Sequence, residues 1–143
     1  MKQKNIKLGN KGFSLIELII VMAIMAILVG ILAPQYLKYV EKARRSNDIQ
    51  TAASIGRAAQ IALAEQDLTP AGSYTQDNIN AEDDEFAAEV HEVLGNISEP
   101  ESTGFTTFTI TVETSEVVPE VKVTVDGDIE LFPTVDEDFK NAK

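Results

Sequence analysis

One charge in this 143-residue sequence stands where a charge is costly. Glu17 opens an apolar run, Leu18 to Ala33, which reads LIIVMAIMAILVGILA and contains no other ionisable residue. A carboxylate in such a run costs up to about 2.5–3.5 kcal/mol if it must sit deep in hydrocarbon, and less near the interface. An acid kept at that cost usually has a partner, and the natural partner is a cation. Two charges attract strongly where the dielectric is low, so pairing offsets burial only when they meet at matching heights. The chemistry open to Glu17 is therefore recognition rather than bond-making. The other candidates are weaker. His91 is the one histidine, set between Val90 and Glu92, and reads as a surface residue. There is no cysteine, no phosphate-cradling glycine loop and no serine in an activating context, so no catalytic site, cofactor or metal is expected. Asp126-Gly127-Asp128 resembles the opening of a metal loop but lacks the later ligands, and reads as a turn. The acids Glu82, Asp83, Asp84 and Glu85 could attract Ca²⁺, but read better as the solvated start of a helix.

Positioning Glu17 falls to the apolar run itself. With Phe13 to Glu17 added, it is long enough to cross a hydrocarbon core of ~30 Å at ~1.5 Å per helical residue. Lys2, Lys4, Lys7 and Lys11 precede it, as expected of a segment whose N-terminus stays in the cytoplasm. Lys38, Lys42, Arg44 and Arg45 follow it, so charge alone leaves the orientation open. A removable signal peptide would need a small-x-small cleavage site after the run. Ala33 is a poor one, with Ile31 two positions before it and Pro34 directly after. A plain membrane anchor would explain the run but not Glu17.

The stretch Lys11-Gly12-Phe13-Ser14-Leu15-Ile16-Glu17-Leu18 resembles the prepilin signal of type IV pilins and pseudopilins: a basic leader, Gly, Phe, then an apolar run broken only by Ser14 and Glu17. The resemblance covers about residues 7–60. It implies that a membrane-embedded prepilin peptidase removes residues 1–12 by cutting between Gly12 and Phe13 on the cytoplasmic side, and N-methylates the new Phe13 amine. It implies that the run is kept as a transmembrane and assembly helix, 13–34, held in membrane lipid before assembly. An inner-membrane platform with its ATPase would then polymerise the chain into a helical homopolymer outside the cell. In such a bundle the Phe13 amine of an incoming subunit pairs with Glu17 of its neighbour, which makes Phe13 and Glu17 a register device. Pro34, followed by Gln35-Tyr36-Leu37-Lys38-Tyr39, matches the Pro and aromatic residues of pilin stems, and with Gly30 marks a place where the helix loosens. Many relatives carry a Gly midway along the run, where this chain has Ala26.

Residues 35–64 read as an Ala-rich amphipathic stem, with Tyr36, Tyr39, Val40, Ala43, Ile49, Ala52, Gly56, Ala59 and Leu63 on one stripe. Ser46-Asn47-Asp48 is a candidate break. From Phe13 to Leu63 such a helix would measure about 75 Å. A loop over Asp67–Thr75, marked by Pro70 and Gly72, is followed by a helix expected over Asn80–Leu94, capped by Asn80, with Phe86, Val90, Val93 and Leu94 buried and Gly95 ending it. The period then changes to two. Phe108, Ile110 and Val112, then Val121, Val123 and Val125, then Ile129 and Leu131 predict an antiparallel meander of about three strands, with Pro119 and Pro133 at strand ends. Such a sheet is too small to stand alone, and the stem is its obvious partner. The fold class is thus α+β, with a soluble domain over 65–143 packed on the stem and an acidic tail, Asp136 to Asp138, left in solvent. The absence of cysteine rules out the disulfide that closes the C-terminal loop in some pilins.

Charge is segregated along the chain. All but three of its 23 acids lie from Glu65 onward, where the only cations are Lys122, Lys140 and Lys143. That surface repels nucleic acid. A structural subunit of a type IV pilus is the leading reading, with a pseudopilin of a type II secretion or DNA-uptake apparatus as the alternative. A membrane-anchored acidic binding module has no need of Glu17. A subunit at the filament tip would have no neighbour above it to pair with.

Overall fold

The structure, a computed structural model, describes residues 12–65, 70, 72–113 and 119–141. The lysine-rich leader before Gly12 and most of the loop between Glu65 and Gly72 lie outside the described residues. The chain divides into two compact units, one ending at Leu37 and the other beginning at Lys38.

The first unit is the N-terminal part of α1, Leu15–Glu65. Its most apolar window has a mean hydropathy of 3.0 and none of it is buried, so by length and composition it can cross a membrane. Pro34 lies inside α1 without ending it. Proline has no N–H, so the carbonyl four residues earlier loses its helical donor, and that carbonyl belongs to Gly30. The two residues singled out as a weak point are thus the two ends of one missing hydrogen bond.

The second unit packs the rest of α1 on a sheet. It contains β1 (Gly72–Thr75), α2 (Gln76–Ala81), α3 (Glu85–Leu94), β2 (Phe108–Glu113), β3 (Glu120–Val125), β4 (Ile129–Phe132) and α4 (Glu137–Asn141). The sheet is antiparallel in the order β1-β2-β3-β4, with Ile110 opposite Val123 and Tyr74 opposite Ile110. The alternation in β2 and β3 sends Phe108, Ile110, Val112, Val121, Val123 and Val125 inward. Ala52, Ile55, Ala59 and Ala62 of α1 meet them, all fully buried. Small side chains let the helix lie close, and Gly56 closest of all. A Cβ there would stand 2.3 Å from a ring atom of Phe132, so the ring occupies the space that any other residue would need. Three residues, Asp126 to Asp128, link β3 to β4; Asp126 and Gly127 are at positive φ (50° and 81°), and the Asp128 N–H donates to the Val125 carbonyl at 3.2 Å.

Several expectations need correction. The meander is present as β2-β3-β4, but β1 adds a fourth strand from residues read as loop, Gly72 to Thr75. The helix expected over Asn80–Leu94 is two helices, because Glu82 adopts the left-handed conformation (φ 54°) and ends α2. The caps are Thr75 and Asp84, whereas Asn80 lies within α2 and bonds both the N–H and the C=O of Ile97, at 2.7 and 2.8 Å. Val93 is 43% exposed and Ala87 takes its place in the core. Ser46-Asn47-Asp48 does not interrupt α1. Tyr36 and Tyr39 are exposed rather than on the buried stripe. Asp136, Glu137 and Asp138 are exposed as expected, and the residue that follows them, Phe139, is buried by α4.

Three polar residues on successive turns of α1 hold distant segments to it. Asp48, buried, accepts the N–H groups of Glu101 (2.8 Å) and Ser102 (3.0 Å) and the Ser102 hydroxyl. Glu41 accepts the N–H (2.9 Å) and hydroxyl (2.8 Å) of Thr103. Arg45 donates to the carbonyl of Phe139 at 2.9 Å and stands over its ring at 5.4 Å. Burial pushes the Glu41 carboxyl up, but the Thr103 hydrogen bonds and Arg45 outweigh it and hold the group below its ordinary value of 4.5. A carboxylate lowered in the folded state stabilises it above the unfolded value, and that contribution is lost as pH falls through the folded one. Thermal unfolding of the detergent-solubilised chain should therefore move to lower temperature on acidification below about pH 4.5. Glu41→Gln should lose part of that dependence, and an unchanged acid slope would contradict the assignment.

Candidate functional site

The N-terminal end of α1 gathers the residues singled out for recognition. Gly12, Phe13 and Ser14 precede the first helical residue, Leu15, and all three are exposed, Phe13 to 93%. A helix leaves its first N–H groups without partners inside the helix. Glu17 supplies one acceptor, its Oε2 taking the N–H of Ser14 at 2.8 Å, while the Leu18 N–H donates to the Ser14 carbonyl at 3.2 Å. Ser14-Leu15-Ile16-Glu17 thus has the sequence of a capping box and realises its Glu half. The helix dipole adds to this, because a negative group in the first turn faces the positive end of the helix.

This arrangement bears on what Glu17 can do. One oxygen is engaged within the chain and orients the carboxylate toward the backbone just after Gly12-Phe13. The carboxylate stands beside Phe13, Leu18, Ile20 and Val21 around a shallow hollow of 470 Å³. A cation arriving there meets a carboxylate with apolar walls, where charge attraction is less screened than in open water. From Leu15 to Leu32 the large apolar side chains are 47–75% exposed. A helix surface this apolar is not left in water and must be covered by lipid or by other helices.

Most of the remaining polar candidates are engaged in holding the fold. His91 is half-buried rather than at the surface. Its Nδ1 lies 3.2 Å from the Ile79 carbonyl and its Nε2 lies 3.9 Å from Glu82, so it ties α3 to α2. Asp126 Oδ1 accepts the N–H groups of Thr106 and Thr107, at 3.1 and 3.0 Å, which fixes the entry to β2. Asp84 caps α3 through the Ala87 N–H at 2.8 Å, and Asp83 accepts the Asn78 amide at 2.7 Å. Among the described residues, no group of three or more His, Asp or Glu is arranged to hold a metal ion. Gly30 and Pro34 lie in α1, where a Cβ on Gly30 would meet nothing within 4 Å. The residues that sequence reasoning missed are Asp48, Glu41, Arg45 and Phe139. For Phe139 a signal existed, since it is the one large apolar residue among the acids of the tail.

Comparison with known proteins bears on the same end of the chain. The family model described as the prokaryotic N-terminal methylation motif matches residues 7–33, which include Gly12, Phe13 and Glu17. A curated relative, "Prepilin peptidase-dependent protein A" of Clostridium perfringens (strain 13 / Type A), is 31% identical over 99 residues. The match covers 64% of this chain and 71% of that protein. No solved structure matches.

Proposed function

Because the chain belongs to the type IV pilin and pseudopilin family, we propose that it is a prepilin cut between Gly12 and Phe13 and polymerised through α1 into a surface filament. The observation that carries this reading is the pairing of Glu17 with an otherwise uncovered apolar helix, directly after an exposed Gly12-Phe13 step. Gly12 and Phe13 lie outside regular structure, as a peptidase needs of the backbone it cuts. The relative's name includes dependence on prepilin peptidase, which supports the same enzyme as this chain's partner. Cutting leaves a cationic amine on Phe13, which that enzyme would then methylate. Glu17 keeps its bond to Ser14 and presents its other oxygen to the amine of the next subunit.

In this reading the apolar part of α1 anchors the chain in the membrane before assembly, with the N-terminus in the cytoplasm and residues 38–143 outside. An inner-membrane platform with its ATPase would lift it into the polymer. The gap between the Gly30 carbonyl and Pro34 is where α1 would yield during that transfer. The domain supplies surface rather than catalysis. A long type IV pilus is preferred to a short pseudopilus of a secretion or DNA-uptake apparatus, and electron microscopy of sheared material distinguishes them by length.

The test is intact mass and N-terminal sequencing of polymer sheared from cells, with and without the prepilin peptidase. The expected chain begins at Phe13 and is about 14 Da heavier than the cut sequence, the mass of one added methyl. It should be absent from polymer when the peptidase is deleted. A chain beginning at Met1, or one cut after Ala33, would overturn the reading.

A further inference from the structure

Among the described residues, no ion pair joins a cation of the stem to an acid of the domain. Residues 38–57 carry Lys38, Lys42, Arg44, Arg45 and Arg57, and residues 58–121 carry no Lys or Arg at all. The two acids within the stem, Glu41 and Asp48, are engaged by the 101–103 segment, and Arg45 by Glu41 and Phe139. Among the described residues the ion pairs join neighbours only: Arg44 and Arg45 with Glu41, His91 with Glu82, Lys122 with Glu113 and Glu120, and Lys140 with Glu137. Lys38, Lys42 and Arg57 are exposed and enter none of them. At ~100° per residue these three fall within about a third of the helix circumference. Lys42 and Arg57 lie on the side turned away from Asp48, Ile55 and Ala59, so they cannot reach acids across the core.

The complementary surface belongs to the same chain. Asp77, Glu82, Asp83, Asp84, Glu85 and Glu92 are all exposed on α2, α3 and the link between them. Glu82 has only the 3.9 Å approach of His91 as an ion-pair contact. Packing many copies of such an acidic domain side by side brings like charges together, which opposes assembly unless cations are interleaved.

We propose that the basic face of α1, centred on Lys42 and Arg57, docks on the acidic α2–α3 surface of a second copy of this chain. Contacts of this kind set register and favour correct neighbours. The inference rests on the filament reading and specifies which surfaces meet outside the membrane.

The test is a charge swap in the full-length chain, scored as sheared polymer per unit of membrane-held subunit. Lys42→Glu with Arg57→Glu should be cut at Phe13 normally yet give roughly ten-fold less polymer. Adding Glu82→Lys and Glu85→Lys to the same chain should restore it to within about two-fold. Lys42→Gln with Arg57→Gln, which creates no repulsion, should fall between, and equal thermal unfolding of all variants separates docking from folding. Wild-type polymer should also fragment more as salt rises, since screening shortens from about 10 Å at 0.1 M to about 3 Å at 1 M. Unchanged polymer from the folded double reversal, or no rescue by the acid reversals, would overturn the docking and leave the filament reading standing. So would a double reversal that loses only its binding to phosphatidylglycerol vesicles, because the face would then serve lipid. Absence of polymer from the wild-type chain would instead sink the filament reading itself.

Discussion

A Glu17→Leu chain is expected to be cut at Gly12-Phe13 and held in the membrane in normal amount, yet to yield almost no polymer. The substitution removes a charge from an apolar run, so insertion into lipid becomes easier by up to about 2.5–3.5 kcal/mol. It also removes the acceptor for the Ser14 N–H, a bond of 2.8 Å at an exposed helix end where water can replace it. Neither change threatens the subunit. In the proposed bundle the outcome would reverse, because the Phe13 amine of each incoming chain would be buried without its partner. Leaving one member of a buried pair alone costs about 3–5 kcal/mol, or some hundred- to thousand-fold per docking event. Glu17→Gln should fall between, since an amide oxygen still accepts from the amine but carries no charge. Polymer from Glu17→Leu at the wild-type level, normalised to membrane-held subunit, would remove the register role of this residue.

Phe139→Ala is expected to destabilise the domain by about 3–5 kcal/mol, a large share of the 5–15 kcal/mol typical of a whole domain. Phe139 is 1% exposed, its ring centroid lies 5.3 Å from that of Phe105, and its carbonyl accepts from Arg45. Truncation empties that site, and α4 has no other buried residue to hold it down. Denaturant unfolding followed by circular dichroism measures the loss. Phe139→Leu should recover most of it, and a loss below about 1 kcal/mol would mean that the tail is held elsewhere. The chain has no cysteine with which to tie its C-terminus back, and this one aromatic performs that task through packing.

What could be read from the sequence, and what could not, divides along a physical line. Glu17 was legible because a charge in an apolar run is anomalous by itself, whatever surrounds it. The core faces of β2 and β3 were legible because period two in Phe108, Ile110 and Val112 is local information. Asp48 was not, because its donors come from residues 101 and 102, more than 50 positions away, and nothing near Asp48 announces them. The break between α2 and α3 was hidden because a glutamate, not a glycine, takes the left-handed position at residue 82. The strand β1 was hidden because Gly72-Ser73-Tyr74-Thr75 has the composition of a turn and becomes a strand only by pairing with β2. Each miss is a case where a distant segment supplies what the local residues lack.

The edges of the sheet carry a last consequence. A chain that polymerises as proposed would be concentrated by its own success, and any open strand edge on it would be an invitation to the wrong fibre. Both edge strands here, β1 and β4, are only four residues long, one opening on Gly72 and the other running into Pro133. Short edges that start or stop on such residues offer too few aligned backbone groups to recruit a foreign strand. In the proposed filament, growth would thereby be left to the helices, and a dense array of these domains would be protected against amyloid-type stacking.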